Sequence, residues 1–266
     1  MDNALIYENG AYRIDFEDLD RKMADPANKV LVVCSPHNPT GRVWTEDELK
    51  KTVEICKSTT MIICDEIHCD LIRRGVTFIP IMNVAPEYAD RIVVCTAPSK
   101  TFNLAGMKTS NIVIHNKELQ KKWKDYVNGS LSMDGASALG MTAMIAAYTE
   151  GEEWLEQLKD YLDGNFAYID EYLKKYLPKA HLVKAEGTYL AWLDLNGYVD
   201  RDEKKLEELM QKKAKVALDE GYIFGEEGRG FERINVASPR SVIEECMNGS
   251  GRHLKRKNWY ENSGKK

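Results

Sequence analysis

Val30-Leu31-Val32-Val33-Cys34, followed at once by Ser35-Pro36-His37-Asn38-Pro39-Thr40-Gly41, is the stretch on which the fold turns. Five apolar, mostly β-branched residues without polar alternation read as a strand buried on both faces, the signature of a parallel sheet covered by helices. The Pro and Gly of the polar segment then fix a tight turn at the strand's carboxyl end. Met61-Ile62-Ile63-Cys64 and Ile92-Val93-Val94-Cys95 are runs of the same kind, and Asn111-Ile112-Val113-Ile114-His115 reads as a fourth strand. Helices fall between and around them. Thr45-Glu46-Asp47-Glu48 is a capping box ahead of Leu49, Val53 and Cys56 at helical spacing. Phe16, Leu19 and Met23 mark an earlier helix with Pro26 beyond its end, and 118–127 a later one. This alternation predicts an α/β fold with a mainly parallel sheet and right-handed crossovers.

Farther along, a small-residue helix over 137–147 ends before Gly151. Leu155, Leu158, Leu162, Phe166, Ile169, Leu173 and Leu177 then recur at helical spacing up to Pro178. A strand over Tyr189–Leu195, a helix over Asp202–Leu218 and a strand over Arg233–Ala237 complete the reading. The pattern changes near the long helix, which places one domain over 1–155 and a smaller α+β domain over 156–266, bridged by a helix at about 152–177.

Composition narrows the function. In 266 residues, 37 Lys and Arg against 42 Asp and Glu leave a net charge of −5, no electrostatic basis for binding nucleic acid or an anionic membrane. No apolar run reaches the roughly 20 residues of a membrane span. Met1-Asp2-Asn3 begins no secretory signal, and six cysteines are no disulfide scaffold, so the expectation is a soluble protein of the reducing cytoplasm. Cys34, Cys64 and Cys95 end apolar runs as buried small hydrophobes, and with Cys69 they lack zinc-ligand spacing, so no metal is expected. Arg252, Lys255, Arg256 and Lys257 read as a solvated helix face.

Ligands of open α/β sheets collect beyond the carboxyl ends of the strands. Behind the three buried runs come Asn38, the segment Asp65-Glu66-Ile67-His68, and Thr96-Ala97-Pro98-Ser99-Lys100, so an Asn, an Asp and a Lys arrive at one sheet edge. An aromatic nitrogen heterocycle bearing an aldehyde uses all three. The amine forms a Schiff base, the carboxylate keeps the ring nitrogen protonated, and the amide donates to the phenolate oxygen. That describes pyridoxal 5′-phosphate.

The motifs Ser35–Gly41, Asp65–His68, Ser99-Lys100-Thr101-Phe102-Asn103-Leu104-Ala105-Gly106 and Phe231-Glu232-Arg233-Ile234-Asn235-Val236-Ala237-Ser238-Pro239-Arg240 resemble, in this order, the fold-type I pyridoxal-phosphate enzymes of the class I/II aminotransferase superfamily. His37-Asn38-Pro39, Asp65-Glu66-Ile67-His68-Cys69-Asp70 and Gly187-Thr188-Tyr189-Leu190-Ala191-Trp192 are most similar to the MalY/PatB group of cystathionine β-lyases. The resemblance implies the aspartate aminotransferase fold and a homodimer. Lys100 becomes the Schiff-base lysine and Cα proton shuttle, Asp65 the partner of the ring nitrogen, and Asn38 a ligand of the ring oxygen at the edge of the substrate. His68 stands where many relatives carry a Tyr that reaches the same oxygen. Arg233 matches the grip on the substrate α-carboxylate, with Tyr189 beside the substrate, while Ser99 and Lys108 fall at phosphate-binding positions. The implied reaction is β-elimination from a cystathionine-like amino acid; alternatives are amino transfer and a non-catalytic binding or regulatory role. The same resemblance expects a substantial portion before Tyr7-Glu8-Asn9-Gly10 that supplies a helix N-terminus for the phosphate, a ring-stacking aromatic and dimer contacts. That portion is absent from this sequence, so an incomplete large domain is expected.

Overall fold

The computed structural model describes residues 1–56, 60–133 and 135–263, with side chains through 254. Strands β1 (Ile6–Glu8) and β2 (Ala11–Arg13) form a hairpin, followed by helix α1 (Phe16–Met23). Next come β3 (Val30–Cys34), α2 (Glu46–Ile55), β4 (Met61–Asp65), α3 (Ile81–Val84), β5 (Ile92–Thr96), the one-turn helix α4 (Pro98–Thr101), β6 (Asn111–Ile114) and α5 (Lys117–Lys124). The sheet runs β3-β4-β5-β6, with the first three parallel and β6 antiparallel to β5. α2 starts where expected because both halves of the capping box form. The Thr45 hydroxyl accepts from the Glu48 N–H at 3.2 Å, and the Glu48 carboxylate accepts from the Thr45 N–H at 2.8 Å.

One sheet face is buried. Val33, Ile62, Cys64, Ile92 and Val94 pack under Leu19 and Met23 of α1 and Leu49 and Val53 of α2. The expectation that β3 is buried on both faces is corrected. Val30 and Val32 are 50% and 65% exposed, because β3 is an edge strand whose second face has no cover among the described residues. Cys64 is buried, whereas Cys34 and Cys95 are only partly so.

The second half opens with α6 (Ala138–Glu150), capped by Ser137, and the long α7 (Glu152–Tyr176). β7 (His181–Leu182), β8 (Leu190–Asp194), α8 (Asn196–Val199), α9 (Glu203–Glu207), β9 (Asp219–Glu220), β10 (Phe231–Asn235) and α10 (Arg240–Ser263) follow. A second, antiparallel sheet runs β7-β8-β10-β9. Leu162, Phe166, Ile169, Leu173 and Leu177 bury against Ala191, Leu193 and Ile234 of this sheet and against Ile243 and Met247 of α10. The helix expected over 202–218 is instead short. α9 passes into a wider π turn over 208–214, and Lys215 then takes a left-handed φ of 59°, which turns the chain toward β9. Likewise, α5 stops at Lys124 and continues as π turns to Ser130. Lys255, Arg256 and Lys257 of the expected solvated face lie outside the described side chains; Arg252 is exposed.

Several contacts tie the halves together. Trp192 of β8 donates to the Tyr12 hydroxyl at 3.1 Å and stacks on Phe231, so the β1–β2 hairpin docks on the second sheet. Arg42 binds both Glu48 and Glu186, while the Gly41 carbonyl accepts from the N–H groups of Glu186 and Gly187. Arg73 pairs with Asp163 of α7 at 2.5 Å. No helix among the described residues is long and apolar enough to cross a membrane.

Candidate functional site

The parallel register aligns the carboxyl ends of three strands, with Asp65 paired to Cys34 on one side and Cys95 on the other. Each strand exits into a segment carrying a polar group: Asn38 after β3, His68 after β4, and Ser99 and Lys100 in α4 after β5. The turn after β3 is shaped by cis bonds before Pro36 and Pro39 and by Gly41 at φ 73°. The Asp65 carboxylate accepts from the Ile67 N–H at 3.1 Å, which holds the start of the 65–70 segment.

Arg233 reaches this edge from β10. Its Nη1 donates to the Asn38 Oδ1 at 2.8 Å, and Nε and Nη2 donate to the Asp219 carboxylate at 3.0 and 2.7 Å. The guanidinium also lies 4.6 Å from the Phe224 ring centroid. Three of the five guanidinium N–H groups are thus used, and two remain for a ligand. Asp219 was not among the site residues read from the sequence. It is placed by antiparallel pairing with Arg233 itself, a register that the π turn ahead of it hides from sequence periodicity.

His68 is buried and stands edge-on to Tyr189, ring centroids 5.6 Å apart. Burial, reinforced by the positive charges of Lys100 and Arg233, lowers its pKa to about 4, so its imidazole is neutral at physiological pH. Its Nδ1 has no hydrogen-bond partner among the described residues. Burial likewise raises Tyr189 above the usual phenol range. The structure therefore brings Asn38, His68, Tyr189 and Arg233 together, with Lys100 near enough to His68 to depress its basicity. Ser99 is half-buried beside Lys100, while Lys108 ends the following turn, solvent-exposed at φ 49°.

The set suits a ring with several polar positions: a carboxylate, an amide whose N–H donors face away from Arg233's bond, a neutral imidazole with an open nitrogen, and a primary amine. Thiols do not compete as nucleophiles, since burial pushes Cys34 up to about 11 and Cys69 to about 12. Among the described residues, no group of three or more His, Cys, Asp or Glu is placed to hold a metal ion.

Comparison with known proteins bears on this geometry. The family model described as aminotransferase class I and II matches residues 4–248. Cystathionine beta-lyase PatB of Bacillus subtilis (strain 168) is 36% identical over 248 residues, covering 93% of this chain and 64% of the relative. Protein MalY of Escherichia coli (strain K12) is also 36% identical, covering 94% of this chain and 63% of MalY. The crystal structure of cystalysin from Treponema denticola, which contains a pyridoxal 5′-phosphate cofactor, superposes with a TM-score of 0.92 at 40% identity, covering 96% of this chain and 65% of that one. The PLP-bound C-S lyase from Staphylococcus hominis gives 0.87 at 38% identity, covering 94% and 63%. The chain spans just under two thirds of the length of these relatives. With the family model matched along most of its length and these likenesses beside it, the chain belongs to the aminotransferase class I and II family.

Proposed function

We propose that this chain carries the lysine-bearing part of a pyridoxal-phosphate-dependent carbon–sulfur lyase acting on sulfur-containing L-amino acids. The observation that carries the reading is His68, buried, neutral and with an unpartnered Nδ1, beside Lys100 and Arg233. A buried imidazole nitrogen without a partner is costly unless a ligand atom completes it. The four-residue set of amine, carboxylate, amide and guanidinium fits pyridoxal phosphate, and relatives named cystathionine beta-lyase or C-S lyase support the choice of reaction.

When bound, the cofactor supplies an electron sink for charge left at the substrate Cα. Lys100 would be its covalent attachment point and, as a free amine, the base that takes the Cα proton. Asp65 holds the ring nitrogen protonated. Asn38 donates its amide N–H to the ring oxygen while its Oδ1 orients Arg233, and His68 faces the same region as a neutral group. Arg233 grips the α-carboxylate with its free N–H groups, Tyr189 borders the substrate, and Ser99 and Lys108 contribute to phosphate binding. Once the Cα proton is removed, the Cβ–S bond would break, the sulfur leaving as a thiol that takes up that proton; the released enamine and one water would give pyruvate and ammonia.

Two large hydrophobic clusters, one around Leu49 and Ile62 and one around Ile169 and Ile234, support a division into a cofactor-binding domain over 1–155 and a small domain over 156–266, with a third cluster of Tyr12, Val183, Trp192 and Phe231 joining the two. Exposed Val30 and Val32, and Leu139, Met141 and Ile145 on α6, form apolar surface that supports association as a homodimer. The six free cysteines suit the cytoplasm.

The assay is production of pyruvate from cystathionine, run beside amino transfer to a 2-oxo acid. Pyruvate formation is expected, falling on the order of 10³-fold or more in Lys100→Ala. Amino transfer without pyruvate contradicts the lyase reading.

A further inference from the structure

Asp70 ends the motif that begins at Asp65, yet the chemistry above makes no use of it. One of its oxygens, Oδ2, accepts from the Thr101 hydroxyl at 2.8 Å and from the Tyr148 hydroxyl at 3.2 Å. Three elements therefore meet on one atom: the segment after β4, the one-turn helix α4 and the last turn of α6. Thr101 is fully buried and is the residue after Lys100. Phe102 extends the contact, edge-on to Tyr148 at 5.2 Å and tilted against Trp154 at 6.0 Å.

α4 has little of its own to hold it. It is four residues long, and no side chain caps its N-terminus. Successive residues on a helix point about 100° apart. Fixing one side chain of such a turn therefore fixes the direction of its neighbour. Thr101 suits that purpose because its β-branched side chain is stiff at χ1, so its hydroxyl position and the backbone move together. The acceptor is rigid as well. The 66–71 segment is closed by N–H bonds from Cys69 to the Glu66 carbonyl and from Leu71 to the His68 carbonyl, both at 2.9 Å. That segment also carries His68 and follows directly on Asp65.

We propose that Asp70 is a positioning residue: through Thr101 it locks α4 against the segment bearing Asp65 and His68, and so sets the direction from which the Lys100 amine meets an aldehyde. The inference rests on Lys100 as the attachment point.

The test uses pyridoxal, which needs no phosphate site, alongside pyridoxal phosphate. The rate of capture at Lys100 is read by borohydride reduction and peptide mass spectrometry across a range of pH. Thr101→Val and Asp70→Ala are expected to slow capture of both aldehydes on the order of tenfold, with the urea midpoint and circular dichroism close to those of the parent. Thr101→Ser, which restores the hydroxyl, is expected to recover the rate. Asp70→Asn, which keeps shape and an accepting oxygen, serves if Asp70→Ala does not fold, and is expected to fall between the two. Parent-like capture rates in folded Thr101→Val and Asp70 variants overturn the positioning role and leave the proposed function standing. A capture loss that simply follows lost stability, or is not recovered by Thr101→Ser, also overturns it. Absence of capture at Lys100 in the parent protein overturns the proposed function, and the inference with it.

Discussion

Glu232→Gln is expected to remove a loss of stability between pH 4.5 and 8 that amounts to on the order of 3 to 5 kcal/mol. Glu232 lies on β10, is almost fully buried, and neither carboxylate oxygen has a partner among the described residues. Burial raises its pKa from 4.5 to about 8, helped by the negative charges of Glu220, Asp219 and Glu207. The direction of the effect follows from the proton. Below pH 4.5 both folded and unfolded chains hold it, and the carboxyl carries no penalty of ionisation. Between pH 4.5 and 8 the unfolded chain releases the proton while the folded one keeps it, so stability declines as pH rises and levels off above about 8. The amide cannot ionise and escapes this decline. Urea unfolding of both proteins at pH 5 and pH 8 measures the difference; identical pH slopes would contradict the assignment. Glu232 shares a strand with Arg233 but faces the opposite side, which places an ionisation penalty behind the proposed substrate grip without entering it.

Gly41→Ala is expected to cost about 2 to 4 kcal/mol. Gly41 has φ 73°, and a Cβ there would stand 2.8 Å from the Ala185 Cβ and 2.9 Å from its Cα, both closer than atoms pack. Its neighbours cannot yield easily, because the Gly41 carbonyl accepts from the N–H groups of Glu186 and Gly187, which bind the second half of the chain at this point. Gly10 is the control, with φ 78° but open space where a Cβ would be. Gly10→Ala should cost only the conformational part, about 1 kcal/mol. The excess of the first substitution over the second isolates the close contact. Since Gly41 follows Asn38 by three residues, the variant should also loosen the Asn38–Arg233 bond. Equal losses for the two glycines would contradict this reading.

The elements legible in the sequence were those whose signals are local. The β3, β4 and β5 runs, the Thr45 capping box and the leucine spacing of α7 each need no partner to be recognised, and all stand where expected. The β1–β2 hairpin was written equally plainly, in Asn9-Gly10 with both residues at positive φ, but went unread because its strands are only three residues each. The exposure of Val30 and Val32 could not be read, since a doubly buried pattern records what a strand is built to meet rather than what lies beside it here. At the candidate site, Asn38, Asp65 and Lys100 stood out because strand ends converge by topology, whereas His68 was singled out only by the family resemblance. The bonds of Arg233 to Asn38 and Asp219, and of Thr101 to Asp70, join residues far apart in the chain and depend on tertiary placement. Asp70 stood inside a quoted motif, yet nothing in its spacing announced which hydroxyls it would collect.

The most direct measurement is the site of covalent attachment: incubate the protein with pyridoxal phosphate, reduce with borohydride, and map the modified peptide. The geometry of Asn38, Asp65, His68, Lys100 and Arg233 predicts modification concentrated at Lys100, accompanied by a visible absorbance band before reduction, and both lost in Lys100→Ala. Modification spread evenly over surface lysines, or an absorbance band unchanged by Lys100→Ala, would contradict it.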